Sequence, residues 1–113
     1  TCHAHMCAAI GARHQGEKEL LGRGAMELLE LLRNKIGHIH LIDSDGTLHD
    51  EETSTHNPFG MGCLDFDQLI PEILQCGCTS AWWTIDLCFW PNAWDVTEES
   101  IHFLNAMRDK HCL

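Results

Sequence analysis

The alternation of apolar and polar positions divides the chain into helices and strands. Residues 1–16 are rich in Ala, His and Gly and read as an irregular entry segment. From Glu17 the pattern predicts a helix: Leu21, Ala25, Leu28 and Leu32 follow at spacings of four, three and four and share one face. Glu17 and Glu19 stand in its first turn and Arg33 and Lys35 near its end, where each sign of charge suits the helix dipole. Gly37 is read as the stop, and Gly22 and Gly24 weaken the helix without breaking it. The stretch from His38 to Asp43 is short and rich in Ile and Leu, as in a buried strand. Strand alternation sends His38 and His40 to one face and Ile39 and Leu41 to the other. Residues 43–63 read as a long polar loop, and loops of that length inside a domain are usually functional.

Asp65 and Gln68 then form a capping box for a helix carrying Phe66, Leu69, Ile70, Ile73 and Leu74. Pro71 is expected to disturb its second turn, and Gly77 to end it. The stretch from Ala81 to Leu87 reads as a second strand. Asp95 or Thr97 caps a last helix, with Glu98 and Glu99 in its first turn and Ile101, Leu104 and Met107 on its inner face. Strands alternating with helices in this way imply an α/β fold of parallel β/α units. The strands of such a fold are expected to be buried on both faces. Its chemistry lies at the C-terminal ends of the strands and in the loops that follow. That rule points to His40, Asp43, the loop 43–63 and Asp86.

Length limits the architecture. At 113 residues the chain suffices for one domain but not for a closed (β/α) barrel, which takes roughly 250. It opens on Thr1 rather than Met, so it is expected to begin inside a larger protein. The balance of 17 acidic against 7 basic residues gives a net charge of −10, which argues against a nucleic-acid backbone as partner and favours a small molecule or a metal ion. No apolar run reaches membrane-spanning length, and the N-terminus resembles no targeting signal. The seven cysteines are odd in number and show no repeated CxxC pair, so they read as free thiols in a reducing, cytoplasmic setting.

A histidine on one strand and a carboxylate on the next could share a divalent metal, and His40 and Asp86 fit that pattern. Alone, His40 reads equally well as a hydrogen-bonded core histidine. Asp86 lies within Trp82-Trp83-Thr84-Ile85-Asp86-Leu87-Cys88-Phe89-Trp90, where a carboxylate is costly to bury unless paired or liganded, so a functional role is favoured. The segment from His56 to Gly62 reads locally as a turn leading into the cap at Asp65. Cys2-His3-Ala4-His5 with Cys7 has the composition of a zinc cluster but no established spacing. Asp43-Ser44-Asp45-Gly46 with Glu52 mimics a calcium loop, but its first ligand position would be Leu41 and no exit helix follows. Asp50, Glu51 and Glu52 read as a solvated loop face. There is no phosphate loop and no nucleophile elbow.

Four of these segments resemble, in order, motifs of the xylose isomerase-like superfamily. Thr1-Cys2-His3 resembles the tail of an Asp-Thr-Cys-His motif. The stretch from His38 to Asp43 resembles a His-x-His-Leu-x-Asp strand. His56 to Gly62, with Leu64-Asp65-Phe66, resembles a His-x-Pro-x-Gly-x-Gly-x-x-Asp-Phe turn. Trp83-Thr84-Ile85-Asp86 resembles the last barrel strand. The resemblance implies that residues 1–113 are the C-terminal β/α units of a single TIM (β/α)8 barrel, incomplete in this chain. It implies a divalent metal (manganese, magnesium, cobalt or zinc) held by His40 and Asp86 together with a Glu and an Asp that would precede Thr1. It further implies Asp86 as one of two facing catalytic carboxylates, and His3, His56 and Asp43 as substrate-binding residues.

The implied activity is isomerisation or epimerisation of a sugar or polyol, phosphorylated or not, by proton transfer next to a carbonyl. The implied partner is a small-molecule sugar, with no nucleic acid and no membrane, and a homo-oligomer is allowed. The chain alone is expected to be inactive, two of the four metal ligands being missing. The alternatives are a zinc-dependent apurinic endonuclease of the same superfamily and a barrel relative without chemistry. The endonuclease needs an Asp-x-His pair where Ser54-Thr55-His56 stands. The chain departs from the family pattern at Asp86, where Glu is usual, at Met61, where an acid is common, and near Gly46, where some epimerases carry Arg.

Overall fold

The computed structural model describes residues 2–3, 24–45, 48–49, 53–78, 82–88 and 90–111. In chain order these form β1 (Cys2–His3), α1 (Ala25–Leu31), β2 (Ile39–Leu41), β3 (Leu48–His49), β4 (Thr53–Ser54), α2 (Phe66–Gln75), β5 (Trp83–Ile85) and α3 (Ala93–Lys110). The fold is α/β. Strands β1, β2 and β5 make one sheet in that order, and both pairings are parallel. The register aligns Ile39 with Trp83, His40 with Thr84 and Leu41 with Ile85.

The period-2 alternation of β2 organises the core. Ile39 and Leu41 are fully buried and meet Ala25 and Leu29 of α1 and Phe66, Leu69, Ile70 and Ile73 of α2. Each such aliphatic side chain contributes about 1.5–3 kcal/mol when taken out of water. Phe103, Leu104 and Met107 of α3 pack on the margin of the same core. The described helices therefore cover one face of the sheet. On the other face His38 and His40 are half-buried and Thr84 is exposed. Burial on both faces, expected from the parallel topology, does not hold among the described residues, because a single helical layer covers the sheet.

Helix α1 ends earlier than its hydrophobic stripe suggested. Gly24, at φ +55° and ψ −128°, is not helical, so the described helix starts at Ala25, while residues 17–23 lie outside the described part. It ends at Leu31, well before Gly37. Asn34, at φ +62°, reverses the chain instead and donates its N–H to the Cys76 carbonyl at 2.6 Å. Asn tolerates that left-handed conformation better than most residues. Leu29, absent from the predicted stripe, sits at the centre of the buried face.

The capping of α2 follows the sequence pattern. The Asp65 carboxylate accepts the N–H groups of Asp67 and Gln68 at 3.1 and 3.3 Å. Gln68 returns its side-chain amide to Asp65 Oδ2 at 2.7 Å rather than to the backbone. Asp65→Ala is expected to cost about 1 kcal/mol, read as a lower urea midpoint at unchanged slope; an unchanged midpoint would show the cap to be idle. The helix runs on through Pro71, which only deprives the carbonyl four residues earlier of its usual donor.

Helix α3 begins earlier than expected, at Ala93 behind Asn92 in the left-handed conformation at φ +56°. Neither Asp95 nor Thr97 is its cap. Asp95 falls in the first turn, and Thr97 Oγ1 donates within the helix to the Ala93 carbonyl at 2.9 Å. Ile101, placed on the inner face by its periodicity, is 47% exposed, and Phe103 points inward instead. The Phe103 ring stacks on Phe59 at 4.8 Å and meets Phe66 edge-on at 5.5 Å. At its far end Lys110 ties α3 to Asp67 of α2 at 2.7 Å.

The span expected to be a polar loop folds back on itself. β3 and β4 pair antiparallel, aligning Leu48 with Ser54 and His49 with Thr53. Below this hairpin, Asp43 and Asn57 exchange both backbone hydrogen bonds, at 3.1 and 3.0 Å. Among the described residues no helix is long and apolar enough to cross a membrane.

Candidate functional site

Parallel register and strand periodicity assemble the site. His40 lies level with Thr84 on the neighbouring strand. Asp86 comes two residues later, and its N–H donates to the Leu41 carbonyl at 3.0 Å, extending the ladder past the end of β5. Two residues along a strand return a side chain to the same face, so Asp86 rises beside His40 on the open face. His40 Nδ1 lies 3.0 Å from Asp86 Oδ2. The Asn57–Asp43 bridge brings the preceding residue, His56, to the same edge, and its Nε2 lies 3.7 Å from the same Oδ2. His56 is nearly buried, and the Asp86 side chain is 16% exposed. The second oxygen of Asp86 accepts the Cys88 N–H at 3.2 Å.

These surroundings set the charge of Asp86. Burial is the largest single influence and raises its pKa. The hydrogen bonds from His40 and the Cys88 amide, with the charges of His56 and His40, together outweigh it and hold the carboxyl below its ordinary value. The group is therefore anionic at neutral pH and flanked by two imidazoles.

Nitrogen and carboxylate oxygen form a donor set suited to zinc, manganese and similar divalent ions. Two ligands each bound at about 2.0–2.2 Å to one ion lie roughly 3.0–3.5 Å apart. The His40–Asp86 separation falls within that range, and the His56–Asp86 separation lies just beyond it. Among the described residues no group of three or more His, Cys, Asp or Glu side chains forms a complete metal site. The separation of His40 and Asp86 is that of two ligands along one edge of a polyhedron, and no third ligand completes it among the described residues.

The other residues singled out in the sequence fall differently. His3 lies on β1 level with His40, and its side chain is outside the described residues. Asp43, read as a substrate contact, is engaged by the turn that follows His56. Its Oδ1 accepts the N–H groups of Ser44 and Leu64 at 2.8 and 3.1 Å, and its Oδ2 those of Gly60 and Gly62 at 2.9 and 3.1 Å. A carboxylate offers about four acceptor sites. With all of them taken by backbone amides and the residue 1% exposed, Asp43 holds the turn. The turn requires its glycines: Gly60 sits at φ +85°, and a Cβ on Gly62 would strike the Asp43 carboxylate and the Ser44 carbonyl. Asp45 is likewise engaged, accepting from Thr55 Oγ1 at 2.7 Å, so the apparent calcium loop is a hydrogen-bonded hairpin base. Its Glu52 lies outside the described residues, as do Asp50, Glu51, Ala4, His5 and Cys7.

Cys63, Cys76, Cys78 and Cys88 are free thiols. Burial raises the pKa of Cys76, which leaves it a poor nucleophile inside the core. His38 and Thr84 join the open face without having been singled out. His38 Nε2 lies 3.0 Å from Thr84 Oγ1, and its ring meets that of His40 edge-on at 5.3 Å and 89°. The alternation that placed His38 and His40 together was the signal for this contact. Compared with protein-family models, with curated proteins and with solved structures, the chain matches none.

Proposed function

We propose that residues 1–113 are the C-terminal β/α units of a xylose isomerase-like (β/α)8 barrel whose activity is metal-dependent isomerisation or epimerisation of a sugar or polyol. The observation that carries the reading is the 3.0 Å approach of His40 Nδ1 to Asp86 Oδ2 at the C-terminal edge of adjacent parallel strands. Three features support it further. The strands follow one another across the sheet in chain order, as in a singly wound barrel, rather than branching from the centre as in doubly wound folds. The described helices cover one face only, leaving the histidine face to line an interior. The four motifs occur in family order along the chain.

On this reading His40 and Asp86 hold a divalent ion, with a Glu and an Asp supplied by preceding sequence. An ion held there would supply Lewis-acid polarisation of the substrate carbonyl. Asp86, anionic at neutral pH, is competent both to ligate and to accept a proton from the carbon next to the carbonyl. Its depressed pKa makes it a weaker base than an ordinary Asp. His56, nearly buried beside it, donates toward the substrate or toward Asp86 itself. The turn held by Asp43 keeps His56 at the edge.

Proton transfer next to a carbonyl washes solvent hydrogen into the substrate. The protein that carries this chain, supplied with manganese and a panel of aldoses, ketoses and their phosphates in deuterium oxide, is expected to incorporate deuterium at carbon 1 or 2 of an isomerised sugar, or at the inverted carbon of an epimerised one, seen by proton NMR. Isomerisation without exchange would point to hydride transfer. Neither exchange nor turnover with any member of the panel would overturn the reading.

A further inference from the structure

We propose that His38 and Thr84 act as positioning residues that lock the His40 imidazole in the orientation presenting Nδ1 to Asp86. The inference deepens the functional reading above and rests on it for its consequence in cation binding, but its geometric content stands on the sheet alone.

The four side chains interlock across two strands. Thr84 is level with His40 but reaches past it to His38, whose Nε2 lies 3.0 Å from Thr84 Oγ1. That bond fixes the plane of the His38 ring. The ring in turn stands at 89° to His40, with centroids 5.3 Å apart, so that a change in the His40 side-chain torsions meets the neighbouring ring. Asp86 closes the arrangement from the other side at 3.0 Å. Thr84 is a stiff anchor, because β-branching restricts its first torsion. The terminal torsion of a histidine is broad and roughly two-fold, so an unrestrained ring would offer either nitrogen to a ligand. Groups that orient a ligating histidine are commonly worth 10–100-fold in metal affinity. The arrangement sets Nδ1 beside Asp86 Oδ2 before any ion arrives, and an ion shared by the two would take the place of the proton between them, which is released to solvent.

The test uses two readouts on the protein that carries this chain. In the metal-free state, nitrogen-15 spectra of the His40 ring report the orientation directly. Wild type is expected to show one ring state, with Nδ1 bonded to Asp86. His38→Ala and Thr84→Val are each expected to give averaged nitrogen shifts, and His38→Phe, which keeps the edge-on ring, to retain part of the ordering. Thr84→Val preserves shape and branching, so it remains informative if His38→Ala fails to fold. Titration with cobalt is the second readout, with affinity expected to fall 10–100-fold in His38→Ala and Thr84→Val. Unchanged His40 shifts in both variants would overturn the positioning role. Averaged shifts in a protein whose wild type takes up no cobalt would uphold the positioning role and count against the metal-dependent function instead.

Discussion

Replacing Asp43 with Ala is expected to lower the stability of the chain by about 3–5 kcal/mol, among the largest effects of any single change. The carboxylate is buried and accepts four backbone amides, from Ser44, Gly60, Gly62 and Leu64. A hydrogen bond to a charged group contributes about 1.5–3 kcal/mol net. The four do not sum, because the exposed amide of Gly60 regains water when the turn opens. The same change releases the Asn57 bridge, and with it His56 from the neighbourhood of Asp86. Asp43→Asn is expected to recover little, since one of its atoms becomes a donor facing amide donors. Urea unfolding measures both variants against wild type. Small domains hold only about 5–15 kcal/mol in all, so the alanine variant should be visibly less stable even without denaturant. A loss below about 1 kcal/mol would show that the turn forms without its carboxylate.

The second large effect is on chemistry rather than stability. If Asp86 ligates the ion and faces the substrate, Asp86→Asn removes the charge while keeping shape, and turnover in the deuterium-exchange assay should fall by about 10²–10⁴-fold. Asp86→Glu, which keeps the charge one methylene further out, should retain activity. Both variants are expected to fold, because the carboxyl lies outside the apolar core, although the asparagine forgoes the stabilisation that the charged pairing supplies. An asparagine variant within tenfold of wild type would mean that the carboxylate serves neither role.

How far the sequence could be read depends on what kind of information fixed each feature. Local chemistry was legible. Asp65 and Gln68 cap α2 where the pattern placed them, and the alternation through Ile39 and Leu41 located the buried face of β2. The meeting of His40 and Asp86 was legible because it follows from parallel strands and a period of two. What escaped was conformation set by single residues with unusual backbone angles. Asn34 and Asn92 lie at positive φ, and each stands at a helix end that differs from the place that hydrophobic spacing suggested. Ile101 failed for a different reason. A helix that packs only along its margin can rotate toward an aromatic cluster, and the Phe59–Phe66–Phe103 contacts outweighed the aliphatic stripe. The structural role of Asp43 escaped because three of its four partners are main-chain amides 17, 19 and 21 residues away, which no side-chain pattern announces. The Gly60-Met61-Gly62 turn was the one hint, since a Cβ-free position beside an acid permits such a close approach.

The claim on which the rest depends is that His40 and the carboxyl of Asp86 are paired at the strand ends. Carbon-13 NMR titration of the Asp86 carboxyl, in wild type and in His40→Ala, tests it most directly. In wild type the group should titrate below 3.8, the ordinary Asp value, because the partners outweigh the opposing effect of burial. Its pairing then stabilises the fold above that ordinary value and is lost as pH falls through the lower, folded one. Removing the imidazole should shift the titration upward, since burial then acts with less opposition. A carboxyl that titrates at or above its ordinary value in wild type, and does not move in His40→Ala, would contradict the pairing and the site built on it.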